Sequence, residues 1–211
     1  STGAGYANVD RGAERPFAAD VAHGGAVFDA GAEVGVLRVL SLEGQVLIAG
    51  GGEQGASKVA AGTVVGADVR PLPERWPVQA TVSGGYLREL GGDNGAWGRV
   101  VVAGSIGRLR IAGSGFAEHV FASDRDPIDL MITAGASVAL TTWARLGAEY
   151  VVQDLEGIWD PDEQDGGVKH FVAATAELKL ATRVRLLGGP AVGLSQGAPS
   201  ILGRVQASYL F

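Results

Sequence analysis

The sequence has no cysteine, one methionine and three histidines in 211 residues. The first absence rules out disulfides and thiolate metal sites, and the scarcity of histidine leaves little for imidazole chemistry. Charge is sparse too: 19% of residues are Asp, Glu, Lys or Arg, and the formal net charge is −6. With no polybasic run, that balance argues against a nucleic-acid partner, because neutralising phosphates takes a concentrated basic surface. Long apolar runs are also missing. No window nears the roughly eighteen consecutive apolar residues of a membrane-spanning helix, although 46% of residues are hydrophobic and mean hydropathy is +0.19. A chain this apolar enters a membrane, if at all, as strands.

What is present is glycine, 34 of it, and alternation with a period of two. The ending "SILGRVQASYLF" puts Ile201, Gly203, Val205, Ala207, Tyr209 and Phe211 on one face of a strand and Leu202, Arg204, Gln206 and Ser208 on the other. The pattern recurs over Val59–Val69, Trp76–Leu90, Val100–Ile106, Leu109–Val120, Ile128–Leu140, Ala144–Gln153, Val168–Leu180 and Arg183–Val192. Phe17–Val21, Phe28–Leu37 and Gly44–Ala49 are further candidates. These predict about twelve strands, with ten as the lower count, in one domain over residues 15–211. Residues 1–14, "STGAGYANVDRGAE", show no alternation and are expected to be a tail or a plug in the lumen.

The connections alternate in kind. "GR" at Gly107, "TTW" at Thr141 and "ATR" at Ala181 are short, whereas "GGDNG", "SDRDP", "EGIWDPDEQDGG" and "SQGAP" are longer and rich in Gly and Asp. A meander whose two ends face different surroundings makes such a pattern. Pairing Ile106 with Leu109, Leu140 with Ala144 and Val69 with Trp76 keeps the apolar faces matched in all three hairpins, which a one-residue slip would not. Soluble sandwiches also alternate. Their strands, however, peak at about five or six residues, and their apolar face packs a core of large side chains, whereas here the second face is small, polar and rich in Gly and Ala.

Aromatic residues fall in two bands. Trp76, Trp143, Tyr209 and Phe211 lie toward the short turns, and Phe17, Phe28, Tyr86, Phe121, Tyr150, Trp159 and Phe171 toward the long loops. Bands one strand length apart are interfacial girdles, with Trp76, Trp143, Tyr86 and Tyr150 as membrane-interface residues.

This architecture, with the ending "VQASYLF", resembles the bacterial outer-membrane β-barrel proteins over residues 15–211. The resemblance implies an all-β fold: a transmembrane, antiparallel, up-and-down β-barrel in the bacterial outer membrane, with short turns in the periplasm and a signal peptide removed on export. It also implies that Tyr209 and Phe211 form the signal read by the barrel-assembly machinery, and that outer-membrane lipid surrounds the wall. No motif assigns a subfamily.

The same alternation turns Arg99, Arg110, Arg145, Arg185 and Arg204 inward with Glu149, Glu177, Glu118, Asp129, Asp68, Gln79, Gln153 and Gln206. Charges on that face demand water or partners. Two functions follow: a narrow passive channel for small polar or anionic solutes, filtered by the arginines, or a lumen plugged by Arg–Glu pairs in a structural or partner-binding barrel. A third reading is a hydrolase built on "HVFASDRD", with His119, Ser123, Asp124 and Asp126, which needs the loop to fold back for base and nucleophile to meet. His119 and His170 otherwise serve as interfacial side chains. His23, the third, has no partner at metal-ligand spacing. "GGGEQG" and "GGDNG" open no helix and lack a following Lys-Ser/Thr, so they are turn material. No cofactor is expected.

Overall fold

The computed structural model describes residues 2–4, 25–51, 60–73, 75–88, 92–123, 128–158, 168–195, 198 and 200–209. They form one antiparallel sheet curled into a closed barrel. Strand β1 is short, Thr2–Ala4. Eleven longer strands follow: β2 (Gly25–Leu37), β3 (Leu40–Gly51), β4 (Ala60–Val69), β5 (Val78–Arg88), β6 (Asn94–Ile106), β7 (Leu109–Val120), β8 (Asp129–Ala139), β9 (Ala144–Gln153), β10 (Lys169–Ala181), β11 (Val184–Gly193) and β12 (Ile201–Tyr209). Each pairs with its sequence neighbours, and β1 completes the ring between β12 and β2.

The up-and-down barrel expected from the alternation is therefore present. The candidate Phe17–Val21 lies outside the described residues. Thr2–Ala4, in the stretch expected as a tail or plug, pairs with both β12 and β2 and closes the ring. Thr2 pairs with Ala207 on one side and Ala30 on the other. An open sheet in lipid would leave an edge of unsatisfied N–H and C=O groups, and even a three-residue strand with small side chains removes part of that edge.

Alternation sorts the chain by solvent. Val82, Val100, Val102, Ile111, Ile132, Leu146, Val172 and Val205 stand exposed on the outer face. Ser41, Asp68, Ser83, Glu149, Arg204 and Gln206, one residue out of phase with them, are buried. Among the charged side chains described within strands, strand parity puts only Arg88, the last residue of β5, on the outer face. A charge in the lipid-facing band costs about 2–4 kcal/mol at mid-depth, so parity and charge enforce each other.

Two of the three expected registers are found: Gly104 opposes Ile111, and Ala134 opposes Tyr150. The third is corrected. Val69 pairs with Val82, and Val65 with Tyr86, so β4 and β5 are offset by six residues from a Val69–Trp76 pairing. Prolines 71, 73 and 77 lack the N–H that would continue the ladder. Because the offset is even, every side chain keeps its face. The tight turn between β6 and β7 has Gly107 at φ 60°, the first central residue of a two-residue loop, as a type II′ hairpin turn requires.

The short connections, and the end of β12, lie at one end of the barrel. The opposite strand ends lie at the other, where Leu155–Ile158 forms a single 3₁₀ turn. Packing within the wall is tight at several glycines, Gly66 among them. A Cβ on Gly66 would stand 2.4 Å from the Trp97 ring and 2.8 Å from the Gly84 carbonyl oxygen. Gly66→Ala is expected to destabilise the barrel by about 1–3 kcal/mol through overpacking, seen as a lower urea midpoint of the refolded protein. An unchanged midpoint would show that the Trp97 ring moves freely.

Candidate functional site: the barrel lumen

The inner face has three regions. At the short-turn end of β2–β6 lies an acidic cluster held by two arginines. Glu33 and Glu43 are directly opposed across β2 and β3, a pairing of like charges that is destabilising by itself. Arg70 offsets it on one side, its Nη2 donating to Glu33 Oε1 at 2.5 Å, and Ser41 Oγ donates to the same oxygen at 2.6 Å. Arg99 offsets it on the other, its Nη2 lying 3.1 Å from both oxygens of Glu43, 3.0 Å from Asp68 Oδ1 and 3.2 Å from Ser83 Oγ. Ser83 in turn donates to Asp68. One nitrogen has two hydrogens, so these contacts are shared. The guanidinium also lies over the Trp97 ring, 5.3 Å from its centroid.

The second region occupies the short-turn half of β7–β11. Ala112, Gly135 and Gly147 leave a recess enclosing about 30 Å³, bordered by Arg110, Ser137, Arg145, Glu149, Thr175 and Glu177. The Arg145 guanidinium bonds Ser137 Oγ at 3.3 Å, Ser137 O at 3.2 Å and Arg108 O at 3.5 Å, all neutral oxygens. Arg185 lies 3.7 Å from Glu177 and is half exposed. On β12, Arg204 donates to Gln206 Oε1 at 2.9 Å, and both residues are buried.

The third region was not foreseen. Toward the long loops, Leu87, Trp97, Phe116, Met131, Val151 and Phe171 turn inward from six consecutive strands, none more than 7% exposed, with Val64, Ala198 and Leu202 packed against them. Trp97 and Phe116 stack at 6.1 Å, and Trp97 Nε1 finds the Val65 carbonyl at 3.3 Å. Along this arc the inner face is polar in the short-turn half, apolar across this band, and polar again at the strand ends, where Glu118, Asp129, Gln153 and Lys169 share its parity. Phe171 is corrected from the interfacial band to this interior, since it shares parity with Ala173 and not with the exposed Val172. The missed signal is positional: the aromatic residues on the polar face, Trp97, Phe116 and Phe171, stand toward the long-loop ends of their strands.

The expected arginines differ in their partners. Arg99 and Arg185 face carboxylates, while Arg145 bonds only neutral oxygens. Within the strands, the described inward-facing charges balance: Glu33, Glu43, Asp68, Glu118, Asp129, Glu149 and Glu177 against Arg99, Arg110, Arg145, Lys169, Lys179, Arg185 and Arg204.

Other expected residues fall as follows. Trp76, Trp143 and Tyr209 are exposed at the short-turn end, and Tyr86 and Tyr150 toward the long-loop end. The Tyr86 hydroxyl bonds Asn94, and that of Tyr150 lies 2.7 Å from His170 Nδ1. Phe211, Phe17 and Trp159 lie outside the described residues. His119 packs its ring edge-on to Phe121 at 5.3 Å, while Asp124, Asp126 and His23 lie outside the described residues, so the hydrolase constellation is not assembled among those described. No group of three His, Asp or Glu able to hold a metal occurs among them either.

Together the ring, the apolar outer wall and the polar lower lumen define the fold of an outer-membrane β-barrel. Among solved structures the chain is similar to the KdgM porin, with a TM-score of 0.60 at 12% identity over 89% of this chain and 92% of that one. The same porin in complex with disordered oligogalacturonate gives 0.61 at 11% identity over the same shares. LpxR from Salmonella typhimurium aligns over 99% of both chains at 11% identity, but its TM-score of 0.44 carries no weight. No family model matches the sequence. No curated protein matches it either.

Proposed function

We propose that this chain is a narrow, porin-like channel of the bacterial outer membrane, passing small polar solutes with little preference for charge. The observation that carries this reading is the water-accessible charge inside the short-turn half: Glu33, Arg70 and Arg185 each keep about half their side-chain surface exposed, as side chains lining an aqueous vestibule do. The balance of inward charge replaces the anion filter expected from the arginines alone. Fold likeness to a porin supports the reading without naming a solute. Tyr209 and Phe211 serve as the assembly signal, and outer-membrane lipid is the partner of the wall.

A closed structural barrel is the second reading, favoured by the dry arc of Leu87, Val151, Met131 and Phe171. Planar-bilayer recording of the refolded protein separates the two. The channel reading expects small, resolved steps with a cation-to-anion permeability ratio near unity. Absence of steps above background in high salt would sink it and leave the closed barrel.

A further inference from the structure

The two sets of connections differ in charge as sequence. The five short connections, residues 38–39, 70–77, 107–108, 140–143 and 182–183, hold five arginines and one glutamate. The remaining stretches of sequence between strands, residues 5–24, 52–59, 89–93, 121–128, 154–168 and 194–200, hold fourteen Asp and Glu against four Lys and Arg. The net charge of −6 conceals this separation.

Of the short-turn arginines, Arg70 is tied to Glu33. Arg38, Arg75, Arg108 and Arg183 are exposed and have no carboxylate partner among the described residues. They occupy four of the five short turns and so are spread around the rim. Beside each stands a large apolar residue turned outward: Leu37 by Arg38, Trp76 by Arg75, Ile106 by Arg108 and Leu180 by Arg183, with Ile106 reaching 78% exposure. The fifth turn carries Trp143 instead. An arginine next to an outward-facing apolar anchor lays its stem over hydrocarbon and its head among lipid headgroups. A guanidinium there grips a phosphate through two parallel hydrogen bonds. Anionic lipid adds an attraction that zwitterionic lipid lacks.

We propose that the short-turn rim is a docking surface for anionic phospholipid headgroups, held by Arg38, Arg75, Arg108 and Arg183. The proposal rests on the reading of the chain as a membrane barrel. Its occupant is a lipid annulus and not a solute at the channel mouth, because the flanking anchors point to the outside of the wall.

Trp76 and Trp143 are built-in reporters at this rim. The protein is refolded into phosphatidylcholine vesicles containing phosphatidylglycerol, with bromine on the chains of one lipid or the other, and quenching of tryptophan emission gives the relative association of the two. The wild type is expected to prefer phosphatidylglycerol by about five-fold at each arginine, and high salt should erase the preference. Replacing all four arginines by glutamine (R38Q, R75Q, R108Q and R183Q) should bring the ratio to about one while the gel shift of the folded barrel stays. A wild-type ratio of one in inserted protein overturns this inference alone, as does a preference that survives in the quadruple variant. Failure to insert into either vesicle overturns the membrane reading, and this inference with it. Titrating inorganic phosphate into detergent-refolded protein should give no saturable heat. Saturable binding with a lipid ratio of one would assign the rim to free anions instead.

Discussion

Replacing Phe116 and Phe171 together by serine is expected to raise single-channel conductance several-fold, the largest functional change available to any pair of residues described here. Both side chains belong to the dry arc, and they stand on β7 and β10, well apart along the wall. A constriction lined by apolar groups resists ion passage beyond its width, because water confined there has few hydrogen-bond partners and withdraws. Serine removes the ring and supplies a hydroxyl, so it both widens and wets the passage. The cost is stability: truncating a buried phenylalanine loses about 3–5 kcal/mol, which lowers the urea midpoint. Phe171→Leu is the control, keeping the arc apolar and conductance close to that of the wild type. Conductance unchanged in the double variant, measured on protein that still shows the folded gel shift, would place the narrowest point elsewhere.

Arg99→Ala is expected to destabilise the barrel by about 3 kcal/mol. The estimate takes the low end of what breaking a buried ion pair costs, since Glu43 keeps some contact with water. Arg99 is the one cation among the described residues bonded to both Glu43 and Asp68. Without it, two carboxylates face the already opposed Glu33 in a half-dry wall. Most of the loss is thus the penalty of leaving anions unpaired, and that has a signature. Neutralising them in the same protein, by Glu43→Gln with Asp68→Asn, should recover at least half of the loss in urea unfolding. If the triple variant is no more stable than Arg99→Ala, the arginine acts through its packing on Trp97 and not through charge.

The wall was legible from the sequence to a degree the lumen was not. Period-two alternation at Ile201–Tyr209, Lys169–Ala181 and Ala144–Gln153 marks strands without ambiguity, because lipid outside and charge inside leave each side chain one acceptable face. Register followed where turns are tight, as between Ile106 and Leu109. It failed across Arg70–Pro77, where prolines end the ladder and nothing local says how far the next strand slides. Inside the barrel the deciding contacts join non-adjacent strands. Arg99 on β6 reaches Glu43 on β3, a meeting that depends on strand tilt and side-chain reach and leaves no trace in spacing. The arginines could be placed on the inner face from parity alone. The pairing of Arg99 with Glu43 and Asp68 could not, nor could the stacking of Trp97 on Phe116. Alternation puts Met131, Val151 and Phe171 on the inner face, but only their height along the barrel brings them together as one apolar band.

One consequence of pairing every long strand with its sequence neighbours concerns how such a molecule changes size. Since each hairpin hands on the same unpaired edge that it received, a hairpin inserted or removed between β6 and β7, or between β10 and β11, leaves the order of all the others intact. The circumference grows or shrinks in steps of two strands, and the bore with it. The architecture is in this sense extensible: the width of the passage can be altered by counting hairpins, with no rewiring of the chain.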